Sequence, residues 1–323
     1  MNERRTHFRP PRRQHGAALL TAMIIVTLVV TLASSMVWQQ WRAVQVEQAE
    51  RARTQAAWIL SGALDFARLI LKEDLKSGRP TALTEPWATP LAEARLSTFL
   101  AADGSSNADD GPEAFLSGSI SDAQARYNLS NLVTADGKID AEELATLERL
   151  SLAVGLDTAV AQRIANGMRD ATNPGSDPNA NAPLLPQSVA QLSWLGIDAA
   201  TVAMLETVVV VLPAAMPVNI NTASREVLVG AIKGLDLATA ERILQVRQRA
   251  PFKTAQAFAE QFPTLPALTP TRHAFKSSYF EVRGKLRLAD RVLVERSLVH
   301  RLANGEIQVL RRDRVASLEE VAS

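Results

Sequence analysis

The sequence predicts an α+β fold in which a long N-terminal helix packs on an antiparallel sheet and a large all-α domain is inserted into the sheet region. Residues 17–77 contain no proline and follow helical spacing. Residues 279–310 alternate with the period of two that is typical of strands. Between these regions, short glycine-apolar-aspartate strings recur before runs of helix-forming residues, which indicates helical hairpins.

Composition excludes several classes of protein. A length of 323 residues is enough for about two domains. The absence of cysteine excludes disulfide scaffolds, thiolate zinc sites and thiol catalysis. The formal net charge of +1 lacks the basic excess that is typical of nucleic-acid-binding proteins. No hydrolase, metalloprotease or phosphate-loop motif occurs, so we expect a protein that is not an enzyme.

The N-terminus has the charge pattern of a membrane anchor. Residues 1–16 contain five arginines and one acid, whereas residues 17–41 contain no charged side chain. Residues 17–38 are long enough to cross a bilayer as a helix. The arginines favour a cytoplasmic N-terminus, which places the bulk of the chain on the opposite side of the membrane. A secretory signal peptide cut near residues 33–35 is the alternative.

Helical spacing continues beyond this apolar segment. Apolar residues recur at helical intervals over residues 57–71, and Gly78 and Pro80 end the pattern. We therefore expect one helix over residues 17–77, about 90 Å long. Its second part, residues 39–77, is predicted to be amphipathic and to pack on the head of the protein.

The start of this helix resembles the prepilin leader of type IV pilins and of the pseudopilins of type II secretion. A basic leader ends at Gly16, and Ala17 opens the uncharged helix. The resemblance implies that prepilin peptidase cuts after Gly16 and methylates the new N-terminus at Ala17. The fifth mature position is Thr21, where most members of this family have glutamate. The large minor pseudopilins of the protein K family usually lack that glutamate.

Two further strings resemble the protein K family. Residues 115–132 are similar to its pattern G-x-I-x-D-x-x-x-R-x-N-L-N-N-L, and residues 219–223 carry its N-x-N-T-A string. The matching residues are Gly118, Ile120, Asp122, Arg126, Asn128, Leu129, Asn131 and Leu132 in the first string, and Asn219, Asn221, Thr222 and Ala223 in the second.

The middle of the chain, residues 135–270, is predicted to be a helical domain. The strings that begin at Gly155, Gly196 and Gly234 each place an aspartate where a helix begins, and aspartate is a preferred helix cap. We interpret this region as repeated hairpins of the helix-hairpin-helix or SAM-like kind.

DNA binding is the alternative function. Residues 218–252 also resemble the helix-hairpin-helix of DNA-uptake proteins, which would make the chain a membrane-tethered DNA-binding protein. Such hairpins bind phosphate with backbone amides at a helix N-terminus. Here Asp157, Asp198 and Asp236 stand at that position, and their carboxylates would repel phosphate. We therefore do not expect nucleic acid as a partner.

Calcium is the one cofactor that the sequence leaves open. Asp136, Asp140 and Glu143 match the second half of an EF-hand loop, but the leading acids of such a loop are missing. We expect Asp136 and Asp140 to form turn and cap contacts instead. The protein K family is associated with calcium, and residues 170–177 lie where its members often have an acid-rich loop.

The remaining segments supply the sheet. Residues 279–288 and 291–302 are predicted strands, and Asn304-Gly305 is a strong hairpin turn before a third strand. Residues 118–129 are expected to add a strand on the other side of the insertion. A short helix is predicted over residues 91–100, within a turn-rich region.

The resemblance implies a minor pseudopilin at the tip of the periplasmic pseudopilus, where it helps to initiate assembly and the export of folded proteins. It implies contact with minor pseudopilins I and J, other pseudopilins, prepilin peptidase and the inner-membrane secretion platform. The chain would cross the inner membrane once, with its bulk in the periplasm. The predicted segments are a leader at 1–16, a membrane span at 17–38, an amphipathic helix at 39–77, a head at 78–134 and 271–323, and an inserted helical domain at 135–270.

Overall fold

The computed structural model describes residues 15–97, 114–173, 182–288 and 291–315. Most of the leader, the acidic loop before residue 114 and the second half of segment 170–177 lie outside the described residues. Helix α1, His15–Lys76, confirms the predicted continuous helix. It ends where Gly78 adopts a left-handed φ of 68° and its amide donates to the carbonyl of Leu75 at 3.1 Å.

Helix α1 belongs to two compact units of the chain. The first unit extends to Trp58, and the second begins at Ile59. In the first unit the large apolar side chains from Leu19 to Trp41 are exposed, and α1 is long and apolar enough to cross a membrane.

Four hydroxyls of this apolar segment find partners within the helix itself. The side chains of Thr21, Thr27, Thr31 and Ser35 each donate to a backbone carbonyl three or four residues earlier. Because lipid offers no hydrogen-bond partner, polar groups in a membrane helix must be satisfied internally. These four hydroxyls meet that requirement.

The second unit contains the strands and α-helices that follow α1 among the described residues. In chain order they are β1 (Leu91–Arg95), β2 (Ala114–Asp122), β3 (Tyr127–Asn128), α2 (Ala141–Ala153), α3 (Thr158–Thr172), α4 (Ala199–Leu205), β4 (Val209–Val210), β5 (Val218–Asn219), α5 (Arg225–Ala231), α6 (Leu237–Arg249), α7 (Ala255–Gln261), β6 (His273–Ala274), β7 (Tyr279–Leu288), β8 (Arg291–Arg301) and β9 (Ile307–Val315).

Among the described residues, an antiparallel sheet has the strand order β1-β2-β7-β8-β9. β2 pairs with β7 from Ala114 opposite Leu288 to Asp122 opposite Phe280. The predicted hairpin between β8 and β9 is confirmed, since Gly305 has a left-handed φ of 83°. Because β2 and β7 are neighbours although the whole helical region lies between them in sequence, that region is inserted into the sheet.

The predicted short helix at residues 91–100 is wrong over its first half. Residues Leu91–Arg95 form strand β1, which pairs with the outer edge of β2. Leucine, alanine, glutamate and arginine are good helix formers, so local propensity favours the wrong structure here. The open edge of β2 supplies hydrogen-bond partners that override this propensity.

The C-terminal part of α1 packs on one face of the sheet, as predicted. Leu64, Ala67 and Leu71 are buried in a cluster with Trp87 and Phe280, whose rings meet edge to face at a centroid distance of 5.3 Å. Helical spacing places these α1 residues on one stripe of the helix. This contact forms the core of the head.

The helical region has a core of its own. Its buried cluster runs from Tyr127 to Leu268, and α2 packs against α3 and α5. A side chain at Gly230 would place its Cβ 2.3 Å from Cγ of Leu150, so glycine permits the close approach of α2 and α5. The sequence did not predict the two short parallel pairings, β3 with β4 and β5 with β6, that lie at the base of this region.

We expect Leu71→Ala to destabilise the protein by about 3 kcal/mol, because it leaves a cavity between α1 and the sheet. Leu69→Ala is the matched control, since Leu69 lies on the same helix with its side chain largely exposed. The control should change stability by less than about 0.5 kcal/mol. Urea unfolding of the full chain in detergent, followed by tryptophan fluorescence, measures both values. Equal losses would contradict the assigned packing face.

Candidate functional site

The aspartates predicted to cap helices do so. Oδ1 of Asp157, Asp198 and Asp236 accepts hydrogen bonds from backbone amides at the starts of α3, α4 and α6, at 2.7, 3.0 and 2.6 Å. Hydrogen bonds from Thr201 lower the pKa of Asp198, and the backbone amide of Thr239 lowers the pKa of Asp236. These helix ends therefore carry negative charge where a DNA phosphate would have to bind.

The three candidate calcium ligands are engaged within the protein. Asp136 accepts from Thr134 at 2.5 Å and pairs with Lys138 at 2.8 Å. Asp140 caps α2 through the amides of Glu142 and Glu143, as predicted.

Arg272 forms ion pairs with the carboxylates of this acidic region. Its Nε lies 2.8 Å from Oε1 of Glu143, its Nη2 lies 3.4 Å from Asp140, and it also pairs with Glu142. Burial raises the pKa of Glu143. Within the described ranges, no group of three or more acidic or histidine side chains is placed to hold a metal ion. An arginine already at the carboxylates does not fit a bound calcium ion here.

The two strings that resemble the protein K family are called the signature strings. Asp122, the aspartate of the first string, lies at the centre of a buried polar network. Oδ2 of Asp122 accepts hydrogen bonds from Asn219 at 2.9 Å and from the hydroxyls of Thr222 and Ser277 at 2.6 Å each. Oδ1 accepts from the backbone amide of Gln124 at 2.8 Å. Burial raises the pKa of Asp122, whereas the surrounding donors act to lower that pKa. The two signature strings, far apart in sequence, therefore meet at one carboxyl group.

This network continues to the end of α1. Nδ2 of Asn219 donates to the carbonyl of Thr81 at 3.1 Å. Arg301 donates to Oγ1 of Thr81 at 3.1 Å and to the carbonyl of Ser277 at 2.9 Å, and its Nη1 lies 2.6 Å from Oδ2 of Asp74. We call this set the polar joint; its members are Asp74, Thr81, Asp122, Asn219, Thr222, Ser277 and Arg301.

Two signature asparagines hold the segment between β4 and β5. Oδ1 of Asn128 accepts from the amide of Leu212 at 3.0 Å, and its Nδ2 donates to the carbonyl of Ala214 at 2.7 Å. Asn131 accepts from the amide of Met216 at 2.9 Å and donates to its carbonyl at 3.0 Å. Each asparagine thus serves as donor and acceptor to backbone groups that lack a strand partner.

The other residues of the second string secure the interior of the helical region. Asn221 donates to the carbonyl of Phe252 and accepts from its amide, both at 2.9 Å. Ala223 is fully buried in the core. This pair of hydrogen bonds ties the turn before α5 to the turn after α6.

Arg126 and Gly118 of the first string act on the sheet, whereas Leu129 and Leu132 are buried in the core of the helical region. Arg126 forms an ion pair with Glu281 of β7 at 2.7 Å, with both side chains mostly buried. A side chain at Gly118 would place its Cβ 2.8 Å from the carbonyl oxygen of Arg283, so only glycine fits without a shift of the strand.

The signature residues thus form a structural junction. Each of their polar side chains is hydrogen-bonded or ion-paired inside the protein, and the hydrogen bonds to Asp122 fix where the helical region leaves and re-enters the sheet. The sequence did not indicate Asp74, Thr81, Ser277 and Arg301, which are single residues outside any recognisable string. Burial of a polar group requires a partner, but sequence alone does not identify which distant residue supplies it.

The residues of the predicted leader junction lie at the start of α1. Gly16 and Ala17 are part of its first turn, and the hydroxyl of Thr21 donates to the carbonyl of Ala17 at 2.8 Å. The side chain of Thr21 is therefore satisfied by its own helix.

A long helix, apolar and exposed at its start and packed on an antiparallel sheet at its end, defines the pseudopilin class of fold. The fold is similar to that of a chain in a crystal structure of the GspK-GspI-GspJ complex from the enterotoxigenic Escherichia coli type 2 secretion system. The TM-score is 0.62 at 19% identity, and the alignment covers 84% of this chain and 99% of that chain.

Sequence comparisons name the particular family. Models described as "Type II secretion system (T2SS), protein K" match residues 125–214 and 218–275. The protein of that name from Pseudomonas aeruginosa is 28% identical over 94% of this chain and 93% of its own length. The Klebsiella pneumoniae protein is 29% identical over 88% and 93%, respectively. Over nearly its whole length the chain is similar to proteins named type II secretion system protein K, and the comparisons do not support the DNA-binding alternative.

Charge exchange within the polar joint tests its geometry. Asp122→Asn brings two amides together, and Asn219→Asp brings two carboxylates together, so each should destabilise the protein by about 2–3 kcal/mol. The double variant again pairs one carboxylate with one amide and should recover about half of the summed loss. Asn304→Asp in the exposed hairpin is the control. Urea unfolding measures all four variants, and strictly additive losses would exclude direct contact between Asp122 and Asn219.

Proposed function

We propose that prepilin peptidase cleaves this chain between Gly16 and Ala17 and methylates Ala17. The mature protein then crosses the inner membrane once through residues 17–38, with its N-terminus in the cytoplasm and its head in the periplasm. One observation carries this proposal: the first part of α1 is exposed, apolar and free of charge along residues 17–41, directly after an arginine-rich leader. The head is then the assembly module, and residues 135–270 are a helical domain inserted into it.

We further propose that the mature chain lies at the tip of the pseudopilus with minor pseudopilins I and J and contacts the inner-membrane platform during assembly. The similar solved chain comes from a GspK-GspI-GspJ complex, which supports these partners. Thr21 supports an end position, because its hydroxyl is bonded to Ala17 and supplies no carboxylate for a neighbouring N-terminus. A subunit without a carboxylate to pair with a neighbour's N-terminus is suited to begin a filament whose later subunits carry that carboxylate.

Mass spectrometry of the N-terminus tests the processing step in cells that contain the cognate peptidase. The wild-type protein should begin at methylated Ala17, and Gly16→Val should retain the leader because a branched side chain shields the backbone that the peptidase must reach. Gly62→Ala is the control, since a Cβ there meets no atom within 4 Å. A wild-type chain that begins at Met1 or near Ser35 would contradict the proposal.

Immunogold labelling of assembled pseudopili tests the position. We expect the label at one end of each filament, and co-isolation with minor pseudopilins I and J. Thr21→Val should leave both results unchanged, because the hydroxyl is already used within α1. Thr21→Glu places in the bilayer a carboxylate that costs about 2.5–3.5 kcal/mol unless it is paired, so its level in the membrane should fall. Label along the whole shaft would exclude a tip position.

A further inference from the structure

Two carboxyl groups lie together in the core of the head at the end of α1. Glu85 is 5% exposed, and the side chain of Asp74 is 7% exposed. Oε1 of Glu85 and Oδ1 of Asp74 are both buried, and neither accepts a hydrogen bond from a donor among the described residues. Orphaned buried oxygens are rare in native proteins and require an explanation.

The second oxygen of each group is fully engaged. Oε2 of Glu85 accepts from the amide of Ala82 at 3.1 Å and from the indole nitrogen of Trp87 at 2.9 Å. Oδ2 of Asp74 lies 2.6 Å from Nη1 of Arg301. Oε1 of Glu85 and Oδ1 of Asp74 are therefore the oxygens left without a partner in two neighbouring carboxyl groups.

We propose that Glu85 is a neutral carboxylic acid in the folded protein and that its Oε1 donates a hydrogen bond to Oδ1 of Asp74. One proton then satisfies both orphaned oxygens at once, and Asp74 keeps its charge opposite Arg301. This hydrogen bond, which we call the carboxyl latch, fastens the turn after α1 to the helix and to β8.

The charges around the latch favour a proton over a metal ion. Arg301 from β8 and Arg79 from the turn after α1 face the two carboxyl groups, with Arg79 3.6 Å from Oε1 of Glu85 and mostly exposed. A divalent cation would lie beside these guanidinium groups and would be repelled. Burial, the largest influence, and the neighbouring charge of Asp74 raise the pKa of Glu85, whereas the hydrogen bonds from Trp87 and Ala82 act to lower it.

The latch makes the stability of the head depend on pH. A carboxyl group whose pKa is raised on folding binds its proton more tightly in the folded state, so its contribution is complete at low pH and is lost as the pH rises through the raised pKa. When Glu85 ionises, it repels Asp74, and exposed Arg79 is the cation available to it. The turn after α1 is then held less tightly to the helix.

Unfolding equilibria of the full chain in detergent, measured over a series of pH values, test this device. Glu85→Gln keeps a donor toward Asp74 and an acceptor for Ala82 and Trp87, but it cannot ionise. Relative to this variant, the unfolding constant of the wild-type protein should rise by about tenfold for each pH unit above the ordinary glutamate pKa until Glu85 ionises. Glu73→Gln, an exposed change on the same helix, should keep the wild-type slope.

Infrared spectroscopy provides a readout on the wild-type protein itself. The carbonyl stretch of a neutral carboxylic acid should be present in the folded chain and should lose one component in Glu85→Gln. Asp122→Asn should retain that component. Parallel pH curves for wild type and Glu85→Gln would overturn the proposal, as would an unchanged infrared band. A stabilisation by added calcium or magnesium that Glu85→Gln abolishes would also overturn it, since a metal ion would then replace the proton.

Discussion

The hydrogen bonds to Asp122 are the constraint on which the head depends. A buried carboxyl group is unfavourable unless donors surround it, and the donors to Asp122 come from β5, from the turn that follows it and from the segment before β7. Since the chain enters the helical region directly after β2 and returns directly before β7, these hydrogen bonds fix both crossings. The sheet, the C-terminal part of α1 and the helical core meet at this point, and Arg301 extends the same network to the end of α1.

The two signature strings have complementary roles in this arrangement. The first lies along the exit from the sheet, and the second lies within the helical region, from β5 to the start of α5. Asn128 and Asn131 bond to backbone groups of the segment that leads to β5, while Arg126 bonds to the sheet. The family pattern therefore reflects how one inserted region is fastened, and each polar position in it corresponds to a named hydrogen bond or ion pair.

The sequence was sufficient for features that depend on local patterns. The continuous helix α1, the strands β7 to β9, the hairpin at Gly305 and the aspartate caps all follow from periodicity or from the chemistry of one turn. It was insufficient where distant residues decide the outcome. β1 consists of helix-forming residues that become a strand only because β2 offers an edge, and Glu85 and Asp74 acquire their chemistry only through burial beside each other.

The asparagine contacts to residues 212–216 have a consequence for sequence variation. Asn128 and Asn131 bind the amides and carbonyls of this segment, and backbone groups are the same for nearly every amino acid. The exposed positions 213–215 can therefore exchange their side chains through evolution while the path of the segment is preserved by two residues elsewhere in the chain. Selection for this path therefore acts on Asn128 and Asn131 and not on the exposed residues of the loop whose shape they fix.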